Sequence, residues 1–406
     1  MNRRQVLVTG IGLVSPHGSL PDQVFDALMQ GKSALGLWDC PDVPPVVVGI
    51  APFDAAAWFS RGQMSGIDRV SQLAVAAAEL ARQDAAWNIT IDSARVGVYV
   101  GCGMGGAGAI DEAYRRLHQR QRISPLTIVA GMTNAPAAHI AMRAGLTGPV
   151  FTYSIACSSS AVAIAEAAKS IAYGDIDLAV AGGTESLLVP GVVRAWQALQ
   201  TLATPDAEHP DSSCRPFAFD RSGFALAEGA AFLVLESMEH AAARGVRCYA
   251  ELAGSGVSCD ATHLTKPDSM GQSRALVTAL RQSGLTPAEI GYCNAHGTAT
   301  SVGDIAECEA LRQVWGADLP GLRVSSTKSM HGHLLGAAGA LEAAITVLAV
   351  QRGQIPPTGP CKQPDPVCDI PLVRGEGESA PKLRAAISNS FAFGGTNAVL
   401  AFRRCT

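Results

Sequence analysis

Apolar residues fall along this chain in two alternating rhythms. Runs such as "QVLVTGIGLV" (5–14), "RVGVYVG" (95–101) and "DIDLAVAGG" (175–183) are short and almost continuously apolar, the pattern of strands covered on both faces. Between them "RVSQLAVAAAELARQDA" (69–85) and "SSSAVAIAEAAKS" (158–170) repeat apolar residues at helical spacing. A second series starts near residue 246. It reads as a strand and glycine turn over 247–260, a helix over 273–284, and strands with loops at 290–300 and 322–330. A helix over 334–350 follows, and two strands around a turn close the chain at 384–402. The segment 201–216, polar and Pro-rich, predicts a surface loop.

Strands alternating with helices predict an α/β fold. The two series also share punctuation. Each opens on a strand expected to end in G-x-G, Gly10 and Gly12 then Gly254 and Gly256. Each has a late strand-turn with G-G-T, Gly182 to Thr184 then Gly394 to Thr396. This suggests a duplication, with halves at 1–245 and 246–406 packed face to face and one active site between them.

Composition narrows the function. A chain of 406 residues with abundant Gly and Ala and a net charge of -4 offers no basic surface for nucleic acid. Eleven cysteines without a C-x-x-C favour reduced thiols in a cytoplasmic setting over a disulfide or zinc framework. The start "MNRRQVLVTG" has too short an apolar run for a signal peptide. The run 334–350 carries Glu342 and predicts a buried helix, not a membrane span. "GIGLVS" has Ser15 where a dinucleotide fingerprint needs glycine, and "GCGMGGAG" lacks the lysine of a phosphate loop. No cofactor is therefore expected. His331 and His333 lack nearby carboxylates, so no metal is expected there.

Four polar residues stand at strand exits beside glycines: Cys157, His296, Lys328 and His333. Cys157 falls at the seam of a strand and an Ala-rich helix, where helix N–H groups favour a thiolate and should lower its pKa. A thiolate can hold an acyl group as a thioester. Two neutral histidines can donate to one thioester oxygen and stabilise the enolate left when a β-carboxylate departs as carbon dioxide. The lysine adds positive field. Such a set forms a carbon–carbon bond without metal or redox cofactor.

The blocks "VTGIGLVSPHG", "NAHGTAT", "SSTKSMHGHLLGAAGALE" and "SNSFAFGGTNAVLAF" resemble the β-ketoacyl-[acyl-carrier-protein] synthases, elongating condensing enzymes of type II fatty-acid and polyketide synthesis, over nearly the whole chain. The resemblance implies a duplicated thiolase fold in five layers, αβαβα, as a homodimer or a heterodimer with a related ketosynthase. It implies acyl- and malonyl-loaded acyl carrier protein as the partner. It makes Cys157 the nucleophile, His296 and His333 the decarboxylating pair and Lys328 the supporting cation. Phe393 becomes the gate, and its N–H with that of Cys157 the oxyanion hole. Thr298 and Thr300 would bind the carrier's pantetheine arm, Met104 would stand at the acyl pocket, and Phe391 would be a substrate-binding residue. Glu307 would pair with the lysine, with Asp304 in support. Asn294, Glu342, Ser388 and Asn389 match a structural cation site of some members.

Ala392 and the "CSSS" block depart from the more usual pattern and bear on the substrate. The main expectation is chain elongation in fatty-acid synthesis. The alternatives are a specialised polyketide or aryl polyene ketosynthase and a non-catalytic chain-length partner, the last opposed by the intact Cys157 and histidines. Arg61, Arg69 and Arg194 are candidates for a basic docking surface.

Overall fold

A computed structural model describes residues 3–87 and 91–405. Ten strands make one continuous sheet: β1 (Val6–Val14), β2 (Val96–Gly101), β3 (Val150–Tyr153), β4 (Leu178–Glu185), β5 (Gly229–Ser237), β6 (Ala250–Cys259), β7 (Tyr292–Asn294), β8 (Arg323–Ser325), β9 (Ala385–Phe391) and β10 (Thr396–Arg403). Their order across the sheet is 8-7-9-10-6-1-5-4-2-3. Read outward from the centre, the first half runs 1-5-4-2-3 and the second 6-10-9-7-8, the same path displaced by five. Within the sheet the two halves pair only where β1 touches β6, at Leu7 opposite Glu251 and Val8 opposite Ala250.

Five layers follow from where the helices pack. On the outer face of the first half lie α1 (Arg69–Asp84) and α2 (Ala135–Ala144). Between the two half-sheets lie α3 (Ser159–Tyr173) and, after α4 (Pro190–Ala198), the later helix α7 (Ala338–Arg352); α5 (Ser269–Ser283) and α6 (Gly303–Trp315) cover the second half. The central helix α7 is buried on every side from Ala338 to Val350, and apolar throughout that span apart from Glu342 and Thr346. That explains its membrane-like composition: 89% of the 335–352 stretch is buried inside the protein.

Three expectations need correction. The G-x-G pairs do not end strands; they lie within β1 and β6. A Cβ at Gly12 would stand 2.1 Å from the Ala77 carbonyl oxygen of α1, and one at Gly256 2.0 Å from that of Ala275 of α5. These glycines let helix backbone rest directly on the sheet. Gly182 and Gly183 likewise continue β4. The 201–216 segment is not wholly superficial, because Ser213 and Cys214 are fully buried. Cys248 and Cys405 form a disulfide, Cα atoms 6.4 Å apart, against the reduced set expected. They stand just before the start of β6 and just past the end of β10, neighbouring strands that bring them together.

Candidate active site

Cys157 sits on a sharp turn. The chain leaves β3 at Tyr153, and Ala156 takes a left-handed φ of 43°. A single 3₁₀ turn, Ala156–Ser158, then leads into α3. A non-glycine residue there costs about 1–3 kcal/mol and needs fixing. The serines of the "CSSS" block provide it. Ser158 Oγ donates to the carbonyls of Ser390 and Thr396, at 2.8 and 2.9 Å. Ser159 Oγ donates to Ala156 O and accepts from Ile155 N–H. The first tie binds the elbow to the turn carrying Phe393, in the other half of the molecule.

His296 follows β7, and Lys328 and His333 follow β8. Both rings reach the sulfur: one ligand atom each from Cys157, His296 and His333 lie within 4.8 Å of one another. His333 Nε2 is 3.0 Å from Cys157 Sγ. The Leu335 N–H donates to His333 Nδ1 at 3.3 Å, which leaves the ring proton on Nε2, facing sulfur. The Phe393 N–H also points at the sulfur. His296 crosses His333 edge to face, with ring centres 5.5 Å apart.

Electrostatics keep both imidazoles neutral. Burial, then the charge of Lys328, holds their pKa values well below the usual histidine range. Cys157 departs from expectation. Burial pushes its thiol up to about 12, although Lys328 and the Phe393 N–H pull the other way. Desolvation outweighs the helix terminus, so the resting sulfur is a thiol hydrogen-bonded to His333. The three N and S atoms are spaced as a metal could use, but the charge of Lys328, which already acts on both histidines, opposes a dication there.

The supporting carboxylates are rearranged. Lys328 pairs with Glu342 of α7, both buried, and not with Glu307. Glu307 instead accepts from the backbone N–H groups of His296 and Gly297, at 2.8 and 2.7 Å, and from Asn389 Nδ2. It thus fixes the His296 loop. Asp304 accepts from Phe217 N–H at 2.7 Å and faces Arg221, which holds the Thr300 and Ser301 carbonyls. Buried oxygens of Asn294, Ser388 and Asn389 accept no hydrogen bond among the described residues, and the Glu342 carboxylate beside them has only Lys328. Asn294 and Ser388 are paired across β7 and β9. An all-oxygen set of this kind suits a hard cation.

One cavity of about 420 Å³ opens onto Cys157, His296 and His333. Thr298 and Thr300 line it, their hydroxyls 3.1 Å apart, as do Phe391 and Phe393. Met104 does not; it is half-exposed, and its N–H donates to Glu185. Arg61 and Arg194 are exposed. Arg69 is not free for docking, since Glu228 holds it through two hydrogen bonds.

Sequence reasoning missed Glu185, whose buried carboxylate gathers the N–H groups of Gly103, Met104 and Gly336. It stands in "GGTES", read as a glycine turn. It also missed Trp196 and Phe224, aromatic residues of the cavity wall that no motif marks.

The chain matches the family models "Beta-ketoacyl synthase, N-terminal domain" over residues 3–241 and "Beta-ketoacyl synthase, C-terminal domain" over 249–362. It is 40% identical over 408 residues to nodulation protein E of Rhizobium meliloti (strain 1021), covering 99% of each chain. It is 37% identical over 414 residues to 3-oxoacyl-[acyl-carrier-protein] synthase 2 of Vibrio cholerae, covering 100% of each. A solved β-ketoacyl synthase from Burkholderia phymatum superposes with a TM-score of 0.91 at 34% identity, covering 100% of both chains. A type II polyketide ketosynthase solved in complex with its acyl-carrier protein and bound to the hexaketide gives 0.92 at 30% identity, over 99% of this chain and 100% of that one.

Proposed function

The chain belongs to the β-ketoacyl synthases, and from that premise we propose that Cys157, His296, His333 and Lys328 carry out a decarboxylative Claisen condensation. Cys157 attacks the thioester carbonyl of an acyl chain on acyl carrier protein. The carrier's thiol leaves and the acyl group stays on sulfur. Malonyl carrier protein then enters with its thioester oxygen toward the two imidazoles. Carbon dioxide departs, and the N–H donors hold the resulting enolate oxygen. The enolate carbon attacks the acyl carbonyl, whose oxyanion faces the N–H groups of Cys157 and Phe393. Collapse expels the cysteine sulfur and frees β-ketoacyl carrier protein.

The observation that carries this reading is the 3.0 Å approach of His333 Nε2 to Cys157 Sγ inside the cavity. Neutral imidazoles favour it too, since each needs a proton to donate and no charge to repel Lys328. Lys328 and Glu342 set the field behind the histidines, while Glu307 and Asp304 brace the two loops. Asn294, Ser388 and Asn389 would offer oxygens to a structural cation beside the Lys328–Glu342 pair.

The reading includes chain elongation in fatty-acid synthesis, with acyl carrier protein as partner. It takes 1–245 and 246–406 as two duplicated halves, supported by their like strand order. It takes a related ketosynthase subunit or a second copy as dimer partner, for which the exposed Phe151 on edge strand β3 and the nearby exposed Ile128 and Met142 are apolar surface. A cytoplasmic setting suits the remaining cysteines, which are free.

The test supplies hexanoyl and malonyl carrier protein and follows intact mass. Hexanoyl should add to the enzyme, map to Cys157, and leave as 3-oxooctanoyl carrier protein. Product without acylation of Cys157 would overturn the reading.

A further inference from the structure

We propose that Trp196 selects the acyl chain, favouring flat acyl groups, aromatic or conjugated, over saturated ones of like size. The inference rests on the condensing role given to Cys157.

Trp196 comes from the short helix α4 and lies beside the cavity. Phe393 stacks on its face, with ring centres 6.2 Å apart and planes 25° from parallel. Phe224 meets it edge-on at 5.5 Å and 77°. The same Phe224 meets His333 edge-on at 5.1 Å and 83°. The tryptophan is thus tied, through one ring, to the imidazole that contacts the sulfur. Trp196, itself partly buried, also packs on a core that includes Leu187 and Val193, both fully buried.

Of the rings touching Trp196, one can move. Phe224 is buried at 3% exposure. Phe393 is only partly buried and precedes Gly394 and Gly395, both at positive φ, with nothing within 4 Å of where a Gly394 Cβ would stand. An acyl group that displaces Phe393 uncovers a face of Trp196 in the cavity that holds the sulfur. A saturated chain covers that face with dispersion contacts alone. A flat π-bearing group restores the offset stack that Phe393 gave up, an effect of about threefold to tenfold.

The experiment measures rates of acyl transfer to Cys157 by quenched intact-mass spectrometry. The donors are phenylacetyl and cyclohexylacetyl carrier protein, whose carbonyls share a CH₂ link and similar reactivity. The protein should prefer phenylacetyl by about threefold to tenfold. Trp196→Leu should bring the ratio to about one, and Trp196→Phe, which keeps a ring, should retain most of it. Equal rates in the unaltered protein, or a ratio unchanged in Trp196→Leu, would overturn the proposal. If Trp196→Leu does not fold, a ratio of one in Trp196→Phe overturns it instead. Hexanoyl carrier protein is the control. No acylation from it faults the condensing role itself; normal hexanoyl transfer with equal ring rates faults only selection by Trp196.

Discussion

The elbow at Cys157 has a counterpart in the other half of the molecule. Ala156 and Leu335 are both non-glycine residues at left-handed φ, 43° and 46°. Each opens a three-residue 3₁₀ turn, Ala156–Ser158 and Leu335–Ala337. Each turn leads into a 15-residue helix that ends on a left-handed glycine, Gly174 or Gly353. The difference lies between strand and elbow. Ala156 stands three residues beyond the end of β3, whereas Leu335 stands ten beyond the end of β8. The added length holds Lys328 and His333. At the turn itself one half offers Cys157 and the other Gly336. One backbone device, used twice, presents the sulfur in the first half and aims the imidazole in the second.

Replacing the sulfur should separate the halves most. Cys157→Ala should lower condensation by about 10⁴-fold or more, measured as β-ketoacyl product, because no other group there can hold the acyl chain. On the opposite side, His333→Ala or His296→Ala should each cost about 10²–10³-fold in product formation, the loss of one donor to the enolate oxygen.

Lys328→Met should act on stability as well as rate. It leaves Glu342 buried without its partner, at a cost of about 3–5 kcal/mol in denaturant unfolding. Adding Glu342→Gln should recover part of that loss, since burial already pushes Glu342 up to about 7 toward its neutral form.

The pH dependence of the sulfur has a definite sign. With the Cys157 thiol near 12, its thiolate fraction rises steeply all the way from pH 9 to 11, whereas an ordinary thiol levels off by about pH 10. Iodoacetamide labelling of Cys157 should therefore keep accelerating between pH 9 and 11 relative to a free cysteine peptide; a plateau by about pH 10 would mean that the helix terminus outweighs burial.

The smallest effect compares the two elbows directly. Ala156→Gly should leave unfolding free energy within about 1 kcal/mol, because relief of the left-handed φ offsets the entropy a glycine adds to the unfolded chain. Leu335→Gly should cost about 2–5 kcal/mol, because Leu335 is also a buried side chain and its removal leaves a cavity.

Much of the site was legible because its residues stand at strand exits in unusual local sequence. Cys157, His296, Lys328 and His333 could be read from that placement, and the resemblance gave their roles. What remained hidden depends on long-range packing. The partner of Lys328 is chosen by how α7 lies against the β8 loop, so Glu342 and Glu307 could not be told apart by spacing. The shift of Cys157 arises from burial that its small neighbours do not reveal. The glycines of β1 and β6 read as turns because a glycine needed for a close helix and one needed for positive φ look alike in sequence. Trp196 carries no motif, and its meaning appears only when Phe393, from the far end of the chain, lies on it.

The central claim is a division of labour: the first half holds the acyl chain and the second releases carbon dioxide. The direct test is His296→Ala, given acyl carrier protein loaded with hexanoyl and then with ¹³C-malonyl groups. The account predicts normal hexanoylation of Cys157 by intact mass with ¹³CO₂ release reduced about 10²-fold or more. Carbon dioxide released at the unaltered rate, or loss of hexanoylation in its place, would contradict it.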